Sequence, residues 1–249
     1  MSLDGSPKSP ANGSQADVDV YLYCLKSLEA EGDAAALALL DPAEIATLQQ
    51  IKSVTRRVEL LHGRAQLRRL LASHAGLSAS SIEIVAGPHG KPGAHAVGVP
   101  LLPDFNVSHS AQVLAIAIGH GANIGLDIER ADPRLTPDLE GIARRQFTQT
   151  EYRQIMPQPE LERLDCFFRI WTLKEAMLKA VGTGLLLPVN AVDVAGKEDR
   201  LLRSIDTGSA RILVQASYLR MPRHWHLAVA REGVLGHVRI HRTGSGMWQ

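Results

Sequence analysis

The sequence predicts an α+β fold built from two similar halves related by a pseudo-twofold axis. Three spacings carry that prediction. The helix start Asp41-Pro42-Ala43-Glu44 recurs as Thr148-Gln149-Thr150-Glu151, with Glu44 and Glu151 107 residues apart. The leucines that follow helix-ending glycines, Leu77 and Leu185, are 108 apart, and the strand ends Ile118 and Ala230 are 112 apart.

In the first half, Val18–Leu25 reads as a strand rich in β-branched and aromatic residues. Leu40–Ala72 reads as one helical segment, opened by an Asp N-cap with Pro at the first helical position and ended near Gly76. Strands are expected at Ser81–Val85 and Val107–Ile118. In the second half, Ile124–Ile128 reads as a strand and Thr148–Glu151 as a capping box. Leu161–Val181 reads as a long helix stopped by Gly182-Thr183-Gly184, and Ala191–Val194 and Trp225–Ala230 as strands. The predicted division is a disordered tail at 1–16, an N-terminal half at 17–120, a C-terminal half at 121–242 and a flexible tail at 243–249. A ligand cleft is expected between the halves.

The 249 residues are 45% apolar and 21% charged, which suits a globular domain with a buried core. With 27 basic and 26 acidic residues the net charge is +1, so no global field points to nucleic acid or a membrane. Cys24 and Cys166 lack pairing or metal-site spacing, which suits a reducing, cytoplasmic compartment. Apolar runs such as Ala34–Leu40 fall well short of the ~18 residues of a membrane span, and the N-terminus lacks the order of a signal peptide.

Four clusters carry chemistry. Asp127 and Glu129, two apart in a strand, put both carboxylates on one face while Leu126 and Ile128 face the core. Two acids side by side repel unless one is protonated or a cation lies between them, and hard oxygen donors select Mg²⁺. The plain alternative is a solvated strand edge. Trp171, Glu175 and Lys179 share one helical face, where a surface ion pair beside a core Trp is the bland reading. Asn106-Val107-Ser108-His109-Ser110 offers hydroxyl and imidazole groups at a strand start. Gly87-Pro88-His89-Gly90-Lys91-Pro92 is too short and lacks the Ser/Thr of a phosphate loop, which leaves Lys91 on a turn. Arg56, Arg57, Arg64, Arg68 and Arg69 crowd the first long helix, where most such runs are solvated; guanidinium also binds phosphate bidentately. His224-x-His226 has no further ligand at metal spacing and reads as structural.

Taken in order, these clusters resemble the Sfp-type 4′-phosphopantetheinyl transferases. The matching strings are GKP at Gly90–Pro92, NVSHS at Asn106–Ser110, GLDIER at Gly125–Arg130 and FFRIWTLKEAMLKAVGTGL at Phe167–Leu185. Only the last is specific alone, and the resemblance thins before Ala43 and after Leu187. It implies the family's pseudo-dimeric fold and transfer of phosphopantetheine from coenzyme A to a serine of an apo acyl- or peptidyl-carrier protein, releasing adenosine 3′,5′-bisphosphate. By the same resemblance Asp127, Glu129 and Glu175 bind Mg²⁺, and Lys179 contacts the pyrophosphate. His109 and Ser108 approach the 3′-phosphate, Lys91 and Pro92 line the nucleotide pocket, and Arg56 or Arg57 adds to the phosphate site. Glu175 is the expected acceptor of the serine proton, and the nucleophile belongs to the partner.

Two other classes fit the same residues: a carrier- or coenzyme A-binding module without turnover, and an Mg²⁺-dependent hydrolase of the pyrophosphate. Three acids with Lys179 favour the transferase, since binding alone needs no metal site. At an offset of 107 the acids answer to Val20 and Leu22, which are apolar, so one metal site per chain is expected. Both halves lie in one chain, which predicts a monomer. Leu135–Met156 is the expected carrier-docking stretch.

Overall fold

The computed structural model describes residues 16–135 and 138–243. Both expected tails lie outside that range, apart from Ala16 and Thr243, which are strand residues. The first half runs β1 (Ala16–Cys24), α1 (Leu25–Glu31), α2 (Ala34–Leu37), α3 (Pro42–Gln50), α4 (Val54–Ala75), β2 (Glu83–Ala86), β3 (Pro92–His95), β4 (Asp104–Ser110) and β5 (Val113–Gly119). The second runs β6 (Ile124–Arg130), α5 (Leu139–Gln146), α6 (Gln149–Ile155), α7 (Glu160–Val181), β7 (Arg200–Asp206), β8 (Arg211–Met221), β9 (Trp225–Glu232) and β10 (Leu235–Thr243).

Local signals set most boundaries. Asp41 accepts the Glu44 N–H at 2.8 Å while Glu44 accepts the Asp41 N–H at 3.1 Å, and Thr148 and Glu151 repeat that reciprocal cap. The segment Leu40–Ala72 is two helices, because Ser53 accepts the Arg56 N–H and starts a new helix three residues after α3 ends. The stretch Val107–Ile118 is a hairpin, with Ala111 at φ 48° in its turn. Ala191–Val194 joins no sheet among the described residues. The Val192 carbonyl accepts from Lys174, and the Val194 N–H donates to Glu151 at 2.8 Å, so a buried ion pair takes the groups a ladder would need. Strands β3, β7, β8 and β10 escaped the sequence reading.

Two four-stranded sheets result, in the orders β10-β1-β5-β4 and β6-β9-β8-β7. The trios β1-β5-β4 and β6-β9-β8 share one antiparallel pattern. β10 leaves the second half and pairs parallel with β1, completing the first sheet. Helix α4 covers one sheet and α7 the other. The two sheets pack on each other through Val18, Val20 and Leu22 of β1 and Ile124, Leu126 and Ile128 of β6.

That packing corrects the expected register between the halves. Val20 and Leu22 face the sheet–sheet core, as Leu126 and Ile128 do, whereas the acids lie on the opposite face. The left-handed glycines that end α4 and α7, Gly76 and Gly182, are 106 residues apart. At 106 the acids answer to Tyr21 and Tyr23. A one-residue slip exchanges the faces of a strand, so parity excludes 107. Neither tyrosine is a carboxylate, and the expectation of one acid site per chain keeps its basis. No helix among the described residues is long and apolar enough to cross a membrane.

Candidate active site

The two sheets meet edge to edge at β4 and β6, and the expected site residues lie around that seam. Asp127 is buried, Glu129 half-buried, and both project to the side where α7 crosses. Glu175 and Lys179, one turn apart on α7, reach the same place. The Lys179 ammonium lies 2.7 Å from Asp127 Oδ1 and 3.2 Å from the Leu126 carbonyl. Burial pushes the Glu129 carboxyl up to about 7, and the negative charges of Asp127 and Glu175 add to that rise against the pull of Ser110 and Lys179. Burial raises Glu175 as well; Lys179 pulls it back and Asp127 adds to the rise. The three acids therefore feel one another.

Among the described residues no three His, Cys, Asp or Glu side chains are drawn in tightly enough to hold an ion as they stand. The donors are nevertheless suited to a hard cation. Asp127 Oδ2 is buried with no hydrogen-bond partner among the described residues, and its neighbours are two carboxylates that burial disfavours as anions. A divalent cation relieves both penalties, and Lys179 offsets part of the charge in its absence.

Two cavities adjoin this point and meet at Pro92 and Val107. One, of about 350 Å³, is bounded by Glu175, Lys179, Lys91 and Asn106. The other, of about 360 Å³, is bounded by Arg56, Glu59, Arg64 and His109. His109 lies on the face of β4 opposite Ser108. Its Nε2 is 3.0 Å from Arg56 Nη1 and its Nδ1 3.6 Å from Glu59 Oε1. Burial holds the imidazole below its usual value, against the pull of Glu59 and with the help of Arg56. One end of the groove therefore presents two guanidinium groups and an imidazole beside Glu59, and the other is carboxylate-rich.

Three of the expected site residues bond within the protein. Ser108 is buried in the seam, where it donates to Asp127 Oδ1 at 3.0 Å and accepts the Ile128 N–H at 3.3 Å. The Lys91 ammonium donates to Asn123 Oδ1 and to the carbonyls of Ile124 and Lys179, the last in the final turn of α7. Only the stem of Lys91 and the Pro92 ring remain to line the groove. Arg57 donates to the Ile51 carbonyl at 2.9 Å and takes no part in lining it. Among the other arginines, Arg68 is buried against Glu44 and the Ile82 carbonyl, while Arg64 divides itself between Glu44 and the groove.

Glu59 and Lys174 went unread in the sequence, and Asn106 and Ser110 were read there only as members of the Asn106–Ser110 cluster. Glu59 was legible as an i, i+3 partner of Arg56, at 3.1 Å. Ser110 and Asn106 were legible as the period-two companions of Ser108. Lys174 gave no signal beyond its place beside Glu175. It is fully buried and reaches both Glu151 oxygens, at 2.8 and 2.7 Å, holding α7 to α6. The turn Gly87–Pro92 meets the turn after α7 at Gly184, whose φ is +59° and whose Cβ, if present, would lie 2.5 Å from the His89 carbonyl. That contact closes one wall of the groove.

Residues 123–230 match the model of the 4′-phosphopantetheinyl transferase superfamily. The chain is 32% identical over 182 residues to the 4′-phosphopantetheinyl transferase HetI of a Nostoc species, covering 72% of this chain and 75% of that one. It is 34% identical over 141 residues to the transferase Sfp of Bacillus subtilis, covering 56% and 58%. To the transferase AcpT of Salmonella typhimurium it is 34% identical over 137 residues, covering 55% and 65%. The matched region spans less than two thirds of the Bacillus and Salmonella proteins.

Proposed function

This chain belongs to the 4′-phosphopantetheinyl transferase superfamily, and on that premise we propose that its groove moves phosphopantetheine from coenzyme A to a serine of an apo carrier protein. The observation that carries the reading is the polarity of the groove, with Arg56 and His109 at one end and three acids with Lys179 at the other. Coenzyme A has matching parts: a 3′-phosphate on the ribose and a pyrophosphate some atoms away.

Arg56 and His109 hold the 3′-phosphate by charge-assisted hydrogen bonds. Pro92 and Val107 contact the nucleoside between the two ends. Lys179 shifts part of its bonding from Asp127 to the pyrophosphate. The carrier's serine Oγ attacks the β-phosphorus and the bond to the bridging oxygen breaks, so adenosine 3′,5′-bisphosphate leaves. The serine proton passes to Glu175, whose affinity for protons burial raises. Charge spreads over phosphoryl oxygens in such a transfer, so positioning and charge neutralisation do most of the work. Mg²⁺ held by Asp127, Glu129 and Glu175 supplies that neutralisation when bound.

In this reading residues 17–120 grip the nucleotide and 121–242 carry the acids. The enzyme acts as a cytoplasmic monomer, with Leu135–Met156 meeting the carrier. Light scattering tests the oligomeric state. The central test is the mass of an apo carrier protein after incubation with enzyme, coenzyme A and Mg²⁺. Asp127→Ala is expected to keep the fold and to abolish the mass gain; an undiminished gain overturns the acid assignment. Release of adenosine 3′,5′-bisphosphate without any carrier would instead indicate a hydrolase.

A further inference from the structure

Strand β6 is an edge of its sheet, and among the described residues no strand lies in backbone register beside its outward N–H groups at Leu126, Ile128 and Arg130. The side chains of β4 take the place of that strand. Asn106 Oδ1 accepts the Leu126 N–H at 3.0 Å, Ser108 Oγ the Ile128 N–H at 3.3 Å and Ser110 Oγ the Arg130 N–H at 3.3 Å. The acceptors recur every second residue because one face of β4 presents residues at that period. All three are buried, so the rungs satisfy donors that would otherwise be costly.

The choice of residue at each rung follows what lies beside it. Next to the Asn106 rung is Gly125, which has no side chain, and an acceptor alone suffices. Beside the other two are Asp127 and Glu129. A hydroxyl accepts and donates at once, and Ser108 donates to Asp127 Oδ1 at 3.0 Å while Ser110 donates to Glu129 Oε2 at 2.7 Å. Each serine therefore fixes one oxygen of its acid against the backbone. The other oxygen of Asp127 is the buried Oδ2, which has no partner among the described residues.

We propose that Ser108 and Ser110 are positioning residues that orient Asp127 and Glu129 so that the second oxygen of each carboxylate faces a divalent cation. This rests on the metal reading of the acids given above. Groups that hydrogen-bond a metal ligand from behind commonly change metal affinity about 10–100-fold when removed.

The test is Mn²⁺ binding to the full chain with coenzyme A present, read from the paramagnetic resonance of free Mn²⁺, beside thermal melting without metal. Ser108→Ala and Ser110→Ala are expected to weaken Mn²⁺ binding about tenfold. Ser110→Thr, which keeps a hydroxyl, is expected to restore it. Asn106→Ala removes a rung that touches no acid; it is expected to lower the melting temperature and to weaken Mn²⁺ binding less than either serine variant. Wild-type affinity in both serine variants, or an equal loss in Asn106→Ala, overturns the proposal and leaves the metal reading standing. Failure of the wild-type protein to bind Mn²⁺ overturns the metal reading, and the proposal with it.

Discussion

A Cβ atom on Gly125 would stand 2.0 Å from the carbonyl oxygen of Ala176 and 2.5 Å from the Ala180 amide nitrogen. Strand β6 and helix α7 therefore touch backbone to backbone, with the acids two and four residues along the strand. This approach brings Glu175 and Lys179 down to Asp127. Any side chain at 125 lifts the helix away from the carboxylates.

Gly125→Ala is accordingly expected to cost at least about 3 kcal/mol, the upper part of the range for overpacking, because the clash is with helix backbone and cannot be relieved by a rotamer change. Urea unfolding measures it. A variant within about 0.5 kcal/mol of the parent would show that α7 can shift freely.

Lys174 and Glu151 form an ion pair with both side chains fully buried. Glu151 also caps α6 through the Thr148 N–H. Lys174→Met leaves that carboxylate buried without its counter-charge, a loss of about 3–5 kcal/mol. Combining it with Glu151→Gln should recover part of the loss, since a neutral amide carries a smaller desolvation cost. Urea unfolding of both variants measures the loss, and a Lys174→Met variant within about 0.5 kcal/mol of the parent would show that the pair does not hold the fold.

The Glu129 carboxyl sits at about 7 against an ordinary 4.5. The folded protein thus keeps a proton that the unfolded chain releases at lower pH. Its stabilising contribution is full below about 4.5 and is lost as pH rises through 7. Metal-free protein should melt at progressively lower temperature across that interval, and Glu129→Gln should flatten this part of the profile. A slope unchanged by the substitution would assign it to another group.

At the guanidinium end, Arg56→Ala and His109→Ala are each expected to raise the KM for coenzyme A about 10-fold, the scale of one charge-assisted hydrogen bond. Neither should alter the KM for dephospho-coenzyme A, which lacks the 3′-phosphate. Equal losses on both substrates would move the phosphate site elsewhere.

Lys179→Met is expected to lower kcat/KM for transfer about 10²-fold or more, as loss of one charge-stabilising donor does. Chelation by EDTA should stop transfer, and added Mg²⁺ should restore it. Transfer persisting in EDTA would remove the cation from the mechanism.

Much of this was legible from short-range rules. Asp127 and Glu129 share a face because a strand alternates, and Glu175 and Lys179 share one because they are a helical turn apart. The reciprocal caps at Asp41 and Thr148 are local hydrogen bonds, complete within four residues. Lys91 and Ser108 were legible as polar groups near the groove but not in their direction. Whether an ammonium meets a phosphate or the last turn of a helix depends on Asn123, Ile124 and Lys179, the last 88 residues away.

The sequence by itself determined the repeated halves, the two acids on one strand face and the family to which the chain belongs. Periodicity and capping act between neighbours, so they survive without knowledge of the fold. The tertiary structure alone decided the 106-residue register that sets the acids against Tyr21 and Tyr23, and the return of β10 to the first sheet. It also decided that β4 serves β6 with side chains rather than backbone. Those outcomes depend on which faces and edges are buried against distant segments, and burial is a property of the whole packed chain.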